Sequence, residues 1–227
     1  MSVGCKIIKD FDRPSKEKME QFRNMPVANI DDCMGRTASV CADIMPLGKE
    51  KLLGPAFTVK VPQGDNLMFH MAMDLAKPGD IIVIDAGGFT NRAIFGELMA
   101  TYCKIRGIKG LIVDGAVRDS GALAAMGNFA VYARGVTPDG PYKNGPGEIN
   151  TPIVVGGRLV CPGDIVVGDD DGVIFIKPED ADSLAAATKV VEEKEAGIMK
   201  HILEDGTYDR PWVMAKLQEI GCEIKEK

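Results

Sequence analysis

Two short runs constrain the fold of this chain more than anything else in it: Ile81-Ile82-Val83-Ile84-Asp85 and Gly110-Leu111-Ile112-Val113-Asp114. Neither alternates apolar with polar residues. Each therefore reads as a strand buried on both faces, the habit of strands in parallel sheets covered from two sides. Between them, residues 92–106 repeat apolar side chains at helical spacing, with Ile94, Leu98, Tyr102 and Ile105 on one stripe and Gly107 as the stop. Ala86-Gly87-Gly88 reads as the turn into that helix. Upstream, residues 56–61 alternate like a strand and end at Pro62, and Gln63-Gly64-Asp65-Asn66 forms a turn in which Asp65 or Asn66 can cap a helix over 67–76. Downstream, a short helix over 120–126 precedes a strand over 130–133. The order β-α-β-α-β-α-β points to a mostly parallel layered sheet.

The flanks are less regular. Residues 14–25 predict a surface helix with Met19 and Phe22 on its apolar side, broken by Pro26, and residues 30–35 a second short helix ending at Gly35. Residues 137–151 carry Pro138, Gly140, Pro141, Gly145, Pro146 and Gly147 and read as a long loop, a length often tied to function, here to shaping a pocket. Short strands near 153–155, 158–160, 165–167 and 173–176 suggest antiparallel hairpins, followed by helices over 178–203 and 211–220. Pro78-Gly79-Asp80 recurs as Pro162-Gly163-Asp164, the same turn-into-strand chemistry used twice. Length favours one domain over residues 1–227, with a core over about 27–177 and a C-terminal helical extension over about 178–227.

Composition narrows the functional classes. A formal charge of −6 argues against a general binder of nucleic acid or membrane surfaces. No apolar run approaches the ~18 residues of a membrane span, and Met1 to Asp12 lacks the apolar stretch of a secretion signal. The six cysteines form no C-x-x-C pair and most sit in apolar or helical contexts, which predicts buried, reduced thiols in a cytoplasmic protein. Two histidines, His70 and His201, are too few for a histidine-rich metal cage, whereas a hard cation on oxygen ligands stays open.

Four features could carry chemistry. Arg118-Asp119 follows the second buried strand, at the carboxyl end where parallel sheets gather ligands. Arg118 offers a planar charged fork for a carboxylate or enolate, and Asp119 a hard oxygen for Mg²⁺ or Mn²⁺. Two adjacent opposite charges would neutralise each other on one side, so their roles are expected to be spatially divided; a capping aspartate beside an exposed arginine explains them equally well. Gly96-Glu97-Leu98-Met99 places glycine within a helical pattern at a cost of ~1 kcal/mol. If Gly96 marks a break, the N–H groups of Leu98 and Met99 open a new helix start, a cradle for a carboxylate with Glu97 beside it. Glu97 otherwise reads as a solvated helical acid. Gly64-Asp65-Asn66 carries an amide that could bind substrate or simply cap. Gly168-Asp169-Asp170-Asp171-Gly172 reads as a tight hairpin turn, lacking the later glutamate of a calcium loop. No P-loop, G-x-S-x-G or H-E-x-x-H is present.

At Gly96-Glu97 and Gly115-Ala116-Val117-Arg118-Asp119 the chain resembles the RraA-like family, which includes the 4-hydroxy-4-methyl-2-oxoglutarate/4-carboxy-4-hydroxy-2-oxoadipate aldolases. Further stations are Asp31-Asp32-Cys33-Met34-Gly35, Gly64-Asp65-Asn66, Pro78-Gly79-Asp80, Asp85-Ala86-Gly87-Gly88, Gly156-Gly157, Pro162-Gly163-Asp164 and Asp169-Asp170-Asp171-Gly172-Val173, within a likeness running from about residue 27 to 203. The resemblance implies an α/β, three-layer swivelling-domain-like fold with a mostly parallel central sheet, additional short antiparallel strands and flanking N- and C-terminal helices. It also implies a homotrimer or homohexamer with interface active sites. It implies Asp119 as direct ligand of Mg²⁺, Mn²⁺ or another divalent cation, and Arg118 on the enolate oxygen of pyruvate. Gly96, Leu98 and Met99 would cradle the carboxylate, and Asn66 would contact substrate. Glu97, where the family often has aspartate, would act through metal-held water, joined by Glu195 or Glu193 of a neighbouring subunit. The implied activity is a divalent-metal-dependent class II aldolase or decarboxylase that cleaves a 2-oxo acid to pyruvate, with no nucleic-acid or membrane partner. The family also holds regulators of ribonuclease activity that bind a protein partner, in which the Arg-Asp pair is typically broken; a methyltransferase label once given to them finds no methyl-donor site here.

Overall fold

The computed structural model describes residues 4–225, so Met1 to Val3 of the N-terminal stretch and Glu226 and Lys227 of the C-terminal extension lie outside the described residues. The two buried runs form neighbouring strands, as their composition requires. Strand β3 (Leu52–Lys60), β4 (Ile81–Phe95), β5 (Gly110–Val117) and β6 (Ala130–Val136) pair in parallel in that order. Helices α3 (Leu67–Leu75), α4 (Glu97–Ile105) and α5 (Ser120–Ala124) make the crossovers. At the edges, β2 (Met45–Pro46) pairs antiparallel with β6, while β7 (Gly147–Ile149) pairs antiparallel with β3 and parallel with β1 (Cys5–Ile7). The hairpins expected from glycine spacing are present: β8 (Ile153–Val155) with β9 (Arg158–Val160), and β10 (Ile165–Asp169) with β11 (Gly172–Ile176). The first half of β3 pairs antiparallel with β10, so one strand joins both regions.

The alternation along each central strand decides the layers. Phe57, Ile82, Ile84, Leu111 and Val113 face Phe69, Ala72, Ala100 and Cys103 of the crossover helices. Ala56, Ile81, Val83 and Ile112 face the hairpins, against Ile153, Val155 and Val160. A third cluster packs Ile165, Val167, Ile174 and Ile176 against Phe22 and Ile30 from the N-terminal helices α1 (Lys16–Glu20) and α2 (Val27–Cys33) and the turns beside them. The result is the mixed three-layer α/β arrangement expected from the sequence. The chain divides into two compact units, Met1–Thr188 and Lys189–Lys227. The second holds the later part of α6 (Ala181–Asp205) and α7 (Pro211–Glu219), and no residue of α7 is buried. Among the described residues, no helix is long and apolar enough to cross a membrane.

Several expectations are corrected. The helix predicted over 92–106 starts only at Glu97, because β4 continues to Phe95. Gly87 and Gly88, at φ +64° and +69°, are not a turn into a helix; they let the strand shift register against β5 and continue. Ile94 consequently belongs to the strand. Leu98, Tyr102 and Ile105 do share a helical stripe, but it faces outward, with exposures of 83%, 41% and 79%, and α4 buries Ala100 and Cys103 instead. The first helix stops at Glu20, although Ser15 caps it and Phe22 is buried as its apolar spacing implied. The cysteines are not uniformly buried: only Cys103 is, whereas Cys5 and Cys222 are exposed and the other three are intermediate. Burial disfavours a thiolate at Cys103 and pushes its pKa up to about 12. Iodoacetamide at pH 8 is therefore expected to leave Cys103 unmodified in the folded chain and to label it in urea, read by peptide mass spectrometry.

The repeated Pro-Gly-Asp turn has one physical basis. Asp80 accepts the Lys77 N–H at 2.8 Å, and Asp164 accepts the Cys161 N–H at 2.8 Å. Each buried carboxylate then meets a cation: Arg13 grips Asp80 through Nε and Nη2, both at 2.7 Å, and Lys177 Nζ lies 2.8 Å from Asp164. Asp80→Ala leaves Arg13 Nε and Nη2 and the Lys77 N–H without their acceptor, while Arg13 Nη1 keeps Asp10. It is expected to destabilise the fold by about 3 kcal/mol in urea unfolding, the low end for breaking a buried pair because Arg13 reaches water.

Candidate active site

Strand β5 ends at Val117, and the chain then presents Arg118 and Asp119 at the carboxyl edge of the sheet. The Arg118 N–H donates to Phe95 O at 3.0 Å, which aligns the end of β5 with the end of β4. Asp119 takes the left-handed conformation, φ +57° and ψ +37°, at the start of α5, a region aspartate tolerates better than most residues. That turn directs its carboxylate back toward β4, where Oδ2 accepts the Glu97 N–H at 3.1 Å. Gly96 lies between them. A β-carbon there would sit 2.2 Å from Asp119 Oδ2 and 2.7 Å from Arg118 Cγ, so only glycine admits both side chains. The suspected break in the helical pattern is thus the true helix start. Gly96 is the N-cap of α4 and has no side chain to cap it; Asp119 takes the Glu97 N–H, which leaves the Leu98 and Met99 N–H groups at a positively polarised helix end.

The expected spatial division of Arg118 and Asp119 does not hold. Arg118 Nε lies 3.7 Å from Asp119 Oδ2, each side chain is 45% exposed, and both line the same cleft. At that distance and exposure water screens the pair, so neither group is consumed by the other. The cleft encloses about 310 Å³ and gathers Asn66, Gly96, Glu97, Leu98, Met99, Arg118 and Asp119, the positions singled out from the sequence. Asn66 does not cap α3. Asp65 accepts the Leu67 N–H at 2.9 Å instead, and the Asn66 amide donates to Ile94 O at 2.8 Å. Its Oδ1 is buried without a partner. Glu193 and Glu195 lie on α6, in the second compact unit. The acidic turn Asp169–Gly172 closes the β10–β11 hairpin, as its spacing implied, with Asp169 bonded to the Val27 N–H.

Residues not singled out for the cleft complete it: His70 on α3, Ile94 and Phe95 of β4, and Pro141 and Lys143 from the long loop. The loop is tied down over the site. The Arg92 guanidinium stacks over Tyr142 at 4.2 Å and donates to Gly140 O at 2.8 Å, while Asp65 Oδ2 accepts the N–H groups of Asn144 and Gly145. A β-carbon at Gly140 would lie 3.2 Å from Arg118 Nη1, so the loop also backs the arginine. Helical spacing could have signalled His70, four residues after Asn66.

Residues 27–175 match the RraA-like family, described as Aldolase/RraA. The chain belongs to this family. A relative from Halalkalibacterium halodurans, named "Putative 4-hydroxy-4-methyl-2-oxoglutarate aldolase", is 43% identical over 178 residues, 78% of this chain and 84% of that protein. A solved protein from Pseudomonas syringae pv. tomato superimposes with a TM-score of 0.77 over 87% of this chain and 98% of its own, at 22% identity, a likeness of fold. A Streptomyces coelicolor protein, described as an unusual member of the RNase ES inhibitor RraA protein family, superimposes with a TM-score of 0.71 at 25% identity, over 84% of this chain and all of its own.

Proposed function

We propose that this RraA-like protein is a cytoplasmic lyase of the class II pyruvate aldolase type. It cleaves a carbon–carbon bond of a 2-oxo acid, such as 4-hydroxy-4-methyl-2-oxoglutarate or oxaloacetate, and releases pyruvate. The observation that carries this reading is the meeting of Arg118, Asp119 and Glu97 at the N-terminus of α4 in one cleft. The donor set fits a hard divalent cation. Asp119 offers a carboxylate oxygen and Glu97 a second acid, and Mg²⁺ commonly keeps several waters and takes only one or two protein carboxylates. Among the described residues no three His, Cys, Asp or Glu side chains converge on a point, so water and substrate oxygens would complete the shell. When bound, such an ion supplies Lewis acidity toward a keto oxygen.

The chain's own residues supply the rest. The Leu98 and Met99 N–H groups receive the substrate carboxylate. Arg118 holds the keto oxygen and stabilises the negative charge that grows on it as the bond breaks. Glu97 orients a water that returns a proton to the enolate carbon. Met99 and, from the pinned loop, Pro141 and Lys143 wall the cleft beside them. The outward apolar stripe of α4 beside the cleft supports assembly into a homotrimer or homohexamer, with Glu195 or Glu193 of a neighbour as the candidate further acid. Pyruvate release from a panel of 2-oxo acids tests the reading. Excess EDTA is expected to reduce turnover at least ~10-fold, and Mg²⁺ or Mn²⁺ to restore it.

A second reading, a non-catalytic regulator of ribonuclease activity bound to a protein partner, draws support from the likeness to the Streptomyces protein. A chain inert on the whole panel with metal present, yet capturing a ribonuclease, would favour it.

A further inference from the structure

Two residues that line the cleft each bury a polar atom without a hydrogen-bond partner, Asn66 Oδ1 and His70 Nε2. They belong to one turn of chain, since the His70 N–H donates to Asn66 O at 3.1 Å. Buried polar atoms left unpaired cost free energy, so a pair of them beside a catalytic-type cluster marks where a ligand completes the bonding. The two differ in what they can do. The Asn66 amide is oriented by its bond to Ile94 O, which leaves Oδ1 as a fixed acceptor that cannot take up a proton. The imidazole can accept a hydrogen bond and then keep the proton. Burial, and next the positive charge of Lys143, hold the His70 pKa below the ordinary histidine value, against a smaller opposing pull from Asp74. The ring is therefore neutral in neutral solution, the form a base requires. The other charged groups lining the cleft are Glu97, Arg118 and Asp119.

We infer that His70 is a further catalytic residue, the base that takes the proton from a hydroxyl two carbons from the keto carbon of the substrate. This inference rests on the lyase reading above. The step balances without another reactant. The hydroxyl proton moves to Nε2, the hydroxyl oxygen becomes a carbonyl, and the carbon–carbon bond breaks. Its electron pair enters the pyruvate enolate held by Arg118. Proton return to the enolate carbon and loss of the imidazolium proton to water regenerate the site. Loss of CO₂ from oxaloacetate forms the same enolate but has no hydroxyl to deprotonate, so it does not use His70 as a base.

The test is a comparison of two reactions in His70→Gln, which keeps a polar side chain of similar reach and cannot hold the proton. Pyruvate release from 4-hydroxy-4-methyl-2-oxoglutarate is expected to fall ~10²-fold or more, the scale of a lost general base. Release from oxaloacetate is expected to fall by no more than about threefold, because Arg118 and the α4 cradle are untouched. Thermal melting reports whether the variant folds, and His70→Asn carries the same comparison if it does not. Equal loss in both reactions by a folded variant, or loss in neither, overturns the assignment. A parent protein inert on both substrates overturns the lyase reading itself and the assignment with it.

Discussion

Arg118→Ala is expected to lower turnover of a 2-oxo acid by ~10²–10³-fold, the loss seen when one preorganised donor to a developing oxyanion is removed. The expectation follows from where the side chain sits. Arg118 leaves the end of a fully buried strand, so its backbone is positioned by the sheet rather than by a mobile loop. Its guanidinium is backed at Gly140 and faces a screened contact 3.7 Å from Asp119. Losing a half-exposed side chain with no close partner changes stability by less than about 1 kcal/mol, so urea unfolding of the variant is expected to match the parent. Rate and stability then separate. Arg118→Lys keeps the charge but loses the planar fork, and is expected to recover only part of the rate. Full activity of Arg118→Ala on oxaloacetate with Mg²⁺ present would end the proposed mechanism.

Much of this arrangement is legible in the sequence, for identifiable reasons. Strands buried on both faces leave a signature that needs no partner to interpret, and Ile81–Asp85 and Gly110–Asp114 are such strands. The same holds for the Pro-Gly-Asp turns, whose chemistry is local: a carboxylate reaching the N–H three residues back. What escapes is decided at a distance. Gly87 and Gly88 look alike whether they end a strand or bend it, and pairing with β5 determines the outcome. Periodicity correctly groups Leu98, Tyr102 and Ile105 on one face, yet one chain's sequence does not distinguish a face turned to its own core from one turned outward. Charge cancellation between Arg118 and Asp119 argues for different sides only in the absence of solvent; half-exposed groups tolerate proximity. His70 enters the sequence reading only as one of two histidines too few for a metal cage, since nothing in the sequence shows that Asn66 turns its amide inward to Ile94 and brings the next helical turn onto the cleft.

Gly96→Ala is expected to reduce activity by about 10²-fold while leaving the fold in place, a loss comparable with removing Arg118 itself. Alanine suits an N-cap less well than glycine, at a cost of about 1 kcal/mol, too little to unfold the domain. The backbone here is extended, φ −146° and ψ −159°, so a side chain meets no conformational obstacle. The obstacle is space. The new methyl would stand 2.2 Å from Asp119 Oδ2 and 2.7 Å from Arg118 Cγ, and neither atom is the far end of a free chain. Asp119 is constrained by its left-handed backbone and by the Glu97 N–H, and Arg118 Cγ is close to its own backbone. Relief requires the carboxylate to swing out of the cleft or the α4 terminus to back away, and either motion separates the acid, the guanidinium and the N–H cradle by about 1 Å, a displacement that can cost ~10²-fold. Two readouts identify the cause. The apparent affinity for Mg²⁺ in the pyruvate-release assay is expected to weaken along with the rate, because Asp119 is displaced, and a Gly96→Ala/Asp119→Ala double variant is expected to be little worse than Asp119→Ala alone, because both changes remove the same group. Additive losses in that cycle would show that Gly96 serves something other than the placement of Asp119.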